Sequence, residues 1–310
     1  MTHRRSSDGA AQRVLEVLDR VEVACVVLLI VATPTVFHRG TFSTFDVPQV
    51  TVLWLSAMAL GLLAIARRVL FEGGTALPRP VVVAAAMFLV SLGLNVAFSA
   101  QPWVAFTGLP VRGAGAFTYG LCLLVLYSSY RIVASRGPAI IVAALVAAHA
   151  VVAGYALLQA YGGDPYQWGE GELWVSPVFS TLGNPNFSAA YLAVTLPLVT
   201  WLAFGSTRGS GTRVFGGALL GATTVALSYL DSFQGAVGAL VSLAVVANWA
   251  WYRVRSGRLV ATAVAAPATL AIVGVPLLLQ EPGRAVLVAL AACLAVTGWL
   301  SLEWDQRHPP

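Results

Sequence analysis

Long apolar runs recur along this chain, each about as long as a helix must be to cross a bilayer, roughly 17–25 residues. They fall at 21–37, 49–66, 80–98, 114–130, 138–160, 187–204, 214–230, 233–251, 259–279 and 285–302. Hydrocarbon offers the backbone no hydrogen-bonding partner, so only helices and closed barrels span it. Barrel strands would be short and would alternate apolar with polar residues. These runs are long and apolar on every side. The chain is therefore predicted to be all-α, a polytopic helical membrane protein of about ten transmembrane helices. A composition of 58% hydrophobic and 10% charged residues, with mean hydropathy +0.80, excludes a soluble globular domain.

Arginines set the orientation, because cytoplasmic loops retain most of the basic residues. With the N-terminus inside, cytoplasmic segments hold 15 of the 18 basic residues, leaving Arg39, Arg112 and Arg284 outside. Both termini are thus expected to be cytoplasmic, with a tail at 1–20, one transmembrane domain at 21–302 and a second tail at 303–310. Outer loops are expected near 38–48, 99–113, 161–183, 231–232 and 280–284. They carry Asp46, Asp164, Glu170, Glu172, Asp231 and Glu281 against three arginines, a net of about −3. The overall charge of +5 is a topology signal and points to no nucleic-acid partner. Cys25, Cys122 and Cys293 lie inside apolar runs without ligand-like spacing, which reads as packing, so no metal and no cofactor is expected. No small-x-small cleavage pattern follows 21–37, which is read as a retained anchor. The arginines of the tail serve either as topology anchors or as the polar face of a short amphipathic helix on the inner leaflet.

A few polar positions stand out against this background. Between 99 and 115, Trp103 and Phe106 occupy the places where an interfacial helix seats its aromatics, and Gly108, Pro110, Gly113 and Gly115 follow. A short in-plane or re-entrant element presenting Arg112 is expected there, and Arg112 either snorkels to headgroups or contacts an anion. His149 is the titratable group near mid-span, either a neutral imidazole bonded across helices or a proton relay. Asn95 and Gln159 read as interhelical hydrogen bonders. The loop at 161–183 mixes Asp164, Glu170 and Glu172 with Tyr166, Trp168 and Trp174. That blend suits sugars, and equally a membrane interface.

The most organised stretch is 176–198, a polar turn that becomes an apolar helix at Asn184-Pro185-Asn186. Asn184 is a good N-cap, and Pro185 suits the first helical position, where its missing N–H would have no partner anyway. The free N–H groups and positive dipole end of such a start favour an anion, although a plain capped helix reads the same way. Pro197 is expected to kink this helix. Further on, Asp231 and Ser232 are expected to cap the run at 233–251, with Gln234 in its first turn.

Thr181-Leu182-Gly183-Asn184-Pro185-Asn186-Phe187, backed by Ala189, Ala190, Tyr191 and Leu192, resembles the GNPN helix start of the bacterial O-antigen ligase and polymerase superfamily of membrane glycosyltransferases. Similar supporting matches are Phe45-Asp46-Val47-Pro48, Arg112-Gly113 with Gly115, Thr118 and Tyr119, and Ser232 with Gln234-Gly235-Ala236. They follow the family's order over roughly 45–240. The resemblance implies metal-independent transfer of glycan from a polyprenyl pyrophosphate carrier to an acceptor, at the outer face of a bacterial inner membrane. The substrate-binding candidates it implies are Arg112, Asn184, Asn186, Gln234, Arg284 and Asp231. Cations and N–H groups would stabilise the leaving pyrophosphate, and a general base would take the acceptor's proton. Family members carry a long outer loop with basic and histidine residues after the region of Gln234; here 280–284 stands in that position, and Phe233-Gln234 where many members place an arginine. No catalytic base is identified. The expectation is a fragment, a degenerate paralogue or half of a split enzyme whose loop a second protein supplies. Lipid-linked glycan and membrane lipids are the expected partners. The competing readings are a non-catalytic scaffold or carrier-binding subunit, and a transporter, which would place more ionisable groups at mid-span.

Overall fold

The structure, a computed structural model, describes residues 2–71, 75–110, 112–168, 177–204 and 209–253. Among these residues are nine α-helices, one 3-10 turn and no strand. The helices are α1 (Thr2–Thr35), α2 (Asp46–Phe71), α3 (Arg79–Phe98), α4 (Pro102–Thr107), α5 (Ala116–Arg136), α6 (Ala139–Ala160), α7 (Pro185–Phe204), α8 (Ser210–Leu230) and α9 (Phe233–Arg253). Six of them, α2, α3, α5, α6, α7 and α8, are long and apolar enough to cross a membrane. The chain is accordingly a helical, multi-pass membrane protein. The expected spans at 259–279 and 285–302 lie outside the described residues, as do Arg284, Glu170, Glu172 and Trp174. The chain groups into two compact units, Met1–Leu145 and Val146–Pro310.

In the first unit α1, α2 and α5 pack around Val26, Leu60 and Ile132, and around Leu29, Ala57 and Leu121. The tail and the first expected span form one continuous helix, Thr2–Thr35, rather than two elements. Near its middle Asp19 and Glu22 meet three arginines. Arg131 donates through Nε to Glu22 Oε1 at 2.9 Å and also pairs with Asp19 at 3.1 Å. Arg67 lies 3.3 Å from Glu22, and Arg136 lies 3.7 Å from Asp19. The Glu22 side chain is only 3% exposed, so this is a buried ion network joining three helices. Arg131 and Arg136, expected in a loop, sit on α5 because the helix continues past its apolar run to Arg136. The span α3 buries none of its residues. Asn95, on α3, is exposed and has no side-chain partner among the described residues, contrary to the interhelical bond expected of it.

In the second unit α7 is the central helix, with 56% of its span buried. Its neighbours approach closely because the contact positions are small. A Cβ added at Gly238 of α9 would lie 3.1 Å from the Ala193 Cβ, and one at Gly235 would overlap that of Ala189. The Ser242 hydroxyl donates to the Ala193 carbonyl at 2.6 Å, the interhelical bond that membrane helices use where apolar surface alone gives no driving force. Gly216 of α8 abuts the Leu202–Ala203 backbone of α7 in the same manner. Across α6, α7 and α8, the fully buried His149 is within 2.6 Å of Thr195 Oγ1 through Nδ1 and 2.7 Å of Thr223 Oγ1 through Nε2. This is the cross-helix arrangement of the first His149 reading. Val152, Ala156, Leu192, Ala226 and Leu230 complete the core beside it.

Candidate functional site

In the first unit the segment after α4 is locked by its glycines. Gly108 and Gly113 have φ of 83° and 55°, in the left-handed region where a Cβ is disfavoured. A Cβ at Gly115 would overlap the Phe106 carbonyl oxygen and the Gly108 nitrogen. The Arg112 and Gly113 N–H groups both donate to the Leu109 carbonyl, at 2.9 and 2.8 Å. Thr118 donates to the Gly113 carbonyl and accepts the Trp54 indole N–H at 2.7 Å. The short element expected between 99 and 115 is therefore present as α4 and this turn. On it Arg112 is exposed, and its guanidinium has no partner among the described residues. Trp103 and Leu109 of the same segment are 74% and 60% exposed.

In the second unit the predicted helix start is present. Asn184 Oδ1 accepts the Asn186 N–H at 2.9 Å, and the Asn184 carbonyl accepts the Ser188 N–H at 3.0 Å, so Asn184 is the N-cap and Pro185 the first residue of α7. Asn186 Oδ1 in turn accepts the Ser232 hydroxyl at 2.7 Å. Ser232 Oγ accepts the Gly235 N–H at 3.1 Å, which makes Ser232 the cap of α9. Two helix starts thus meet through one asparagine and one serine. Asp231 does not share in the cap. It ends α8 in a left-handed conformation, φ 47°, and its exposed carboxylate has no partner among the described residues. The correction is steric, because the left-handed residue turns the chain and leaves the next one, Ser232, to face the new helix. Gln234 is exposed in the first turn of α9, as expected.

The loop after α6 folds on Asp164. Its carboxylate accepts the Trp168 indole N–H at 2.8 Å, the Gln159 amide at 3.0 Å, the Tyr166 N–H at 3.0 Å and the Tyr155 hydroxyl at 3.1 Å. Burial pushes this carboxyl up, but the donors from Tyr166, Trp168, Gln159 and Tyr155 outweigh it and hold it below the usual carboxylate range. A carboxylate so committed has no lone pair to offer a sugar hydroxyl. Trp168 also packs edge-on against Phe179, with ring centroids 5.1 Å apart.

Sequence reasoning finds the Asn184 helix start and includes Asn186 among the candidates, while it leaves Ser232 a mere cap and Gln159 a helix-to-helix bond. The Ser232 bridge depends on a tertiary approach that no local pattern records. Gln159 faces the chain that follows its own helix. Compared with known family models, with curated proteins and with solved structures, the chain matches none of them.

Proposed function

We propose that this chain works at the outer face of a bacterial inner membrane as an O-antigen ligase-like protein, binding or transferring polyprenyl-pyrophosphate-linked glycan in envelope polysaccharide assembly. The observation that carries the reading is the junction of two helix starts at Asn186 and Ser232, at the end of the Gly183-Asn184-Pro185-Asn186 turn. Each start carries roughly half a positive charge and N–H groups, the setting a pyrophosphate needs. On the first unit, Arg112 is exposed and without a counter-charge among the described residues, which suits it to an anion contact of its own. In this reading about ten spans with both termini cytoplasmic open the Arg112 turn and the Asn184 turn to the outer side.

A carrier-binding role without catalysis is the second reading. Among the described residues of the second unit that could take the acceptor's proton, Asp164 is bound by four residues and His149 is sealed in the core. Asp231 is the acidic residue left free among the described residues of the second unit. In the transferase reading it is the base. The test is surface glycan in cells expressing inserted variants. Arg112→Ala and Asn186→Ala abolish it, and unchanged glycan overturns the role. Asp231→Asn separates the two readings: loss of glycan with carrier still bound by the purified protein supports the transferase reading, and unchanged glycan supports the carrier-binding one.

A further inference from the structure

Gln159 stands one residue before the end of α6, is 8% exposed, and uses both ends of its side-chain amide. Nε2 donates to Asp164 at 3.0 Å. Oε1 accepts two successive backbone N–H groups, from Phe179 at 3.1 Å and Ser180 at 2.7 Å. The orientation of the amide is determined, because reversing it would set oxygen against a carboxylate and NH₂ against two N–H donors.

The turn it holds is strained. Ser180 has φ 57° without being glycine, and it is fully buried. Such a conformation persists only where its surroundings over-determine it. Here the Ser180 hydroxyl donates to the Val152 carbonyl at 2.6 Å, and the Ser188 hydroxyl, from the first turn of α7, donates to the Phe179 carbonyl at 2.5 Å. The Gly183 N–H returns to the Ser180 carbonyl at 3.2 Å, and the next residue is the Asn184 cap. A chain of contacts therefore runs from Asp164 through Gln159 to the Phe179–Ser180 backbone, and from there to the start of α7.

We propose that Gln159 is the positioning residue of the helix-start site, its amide setting the strained Ser180 turn from which Asn184 and Asn186 are presented. The inference rests on the proposed carrier role only for what that site binds. Among the described residues, the titratable group bonded to Gln159 is Asp164, which also accepts the Tyr155 hydroxyl, and the 177–184 turn brings none.

The test is hydrogen exchange of the intact protein in lipid nanodiscs, followed in peptides covering 177–188, with surface glycan measured in parallel. Gln159→Glu keeps the acceptor for the two N–H groups, loses the donor, and sets a carboxylate against Asp164. Exchange in this segment rises about tenfold over wild type at pH 7, the effect of one lost buried partner. It returns toward the wild-type rate as pH falls toward 5, because the paired carboxyls then share a proton that restores the missing donor. Adding Asp164→Asn restores protection at pH 7 by moving the donor to the other side of the contact. Wild-type exchange in Gln159→Glu at pH 7, or no recovery in the double variant, overturns the inference. A loosened turn with unchanged glycan overturns the carrier role and leaves the positioning role supported.

Discussion

The Ser232 hydroxyl donates to Asn186 Oδ1 at 2.7 Å, so the first turns of α7 and α9 share a single hydrogen bond. Ser232 also caps α9, and Ser232→Ala removes both functions at once. The expected loss is about 1–2 kcal/mol of stability, read as a lower midpoint of thermal unfolding in detergent. Ser232→Thr keeps the hydroxyl and recovers most of it. Equal midpoints for the alanine variant and the wild type would remove the tie from the account.

Gly115→Ala tests whether the Arg112 turn acts by its shape. The added Cβ meets the Phe106 carbonyl and the Gly108 backbone, neither of which can yield without opening the turn. The variant keeps its guanidinium and still loses surface glycan to the extent that Arg112→Ala does. Wild-type glycan in Gly115→Ala would mean that the locked geometry is immaterial.

The ion network of α1, α2 and α5 predicts an asymmetry. Glu22→Gln takes the buried carboxylate from Arg67 and Arg131, leaves them the partly exposed Asp19, and should cost about 1–3 kcal/mol. Replacing Glu22, Arg67 and Arg131 together with leucine or methionine recovers much of that loss. Equal destabilisation in the single and triple variants would show that packing, not unpaired charge, sets the cost.

Asp164 sets the acid limit of its loop. Its carboxyl is depressed in the folded state, so its contribution is complete above the ordinary carboxylate value of 3.8 and is lost as pH falls through the lower folded value. Protease cleavage within 161–168 should stay slow at neutral pH and accelerate only below about pH 4. Asp164→Asn is cleaved faster at neutral pH and shows no such acid step. An acid step that survives in this variant would place the titrating group elsewhere.

His149→Ala removes a bridge between three helices and opens a cavity, at a cost of roughly 2–4 kcal/mol. Thr223→Val breaks one of the two bonds and costs about 1 kcal/mol. Both are measured by unfolding of the purified protein in detergent. If the valine variant costs as much as the alanine variant, the imidazole is held by that threonine alone.

The helices were legible because bilayer crossing imposes a length and an apolar character that any residue order must meet. The Asn184 cap was legible for a comparable reason, since N-cap chemistry is local and acts between residues two or three apart. What escaped was set by approach in space. Gln159 pairs with Ser180, 21 positions on, and Asn186 with Ser232, 46 positions on. Asp231 and Ser232 were equally good caps on paper, and the left-handed backbone at Asp231 decided between them. The arginines at 67, 131 and 136 counted as topology signals, yet they meet Asp19 and the buried Glu22 in one ion network, which a charge tally cannot separate from solvated cations.

The close seating of Gly235 and Gly238 on Ala189 and Ala193 has a mechanical meaning. With no side chain between them to act as a spring, α7 and α9 behave as one stiff beam along the glycine and alanine positions. A ligand arriving at their shared end cannot wedge them apart there.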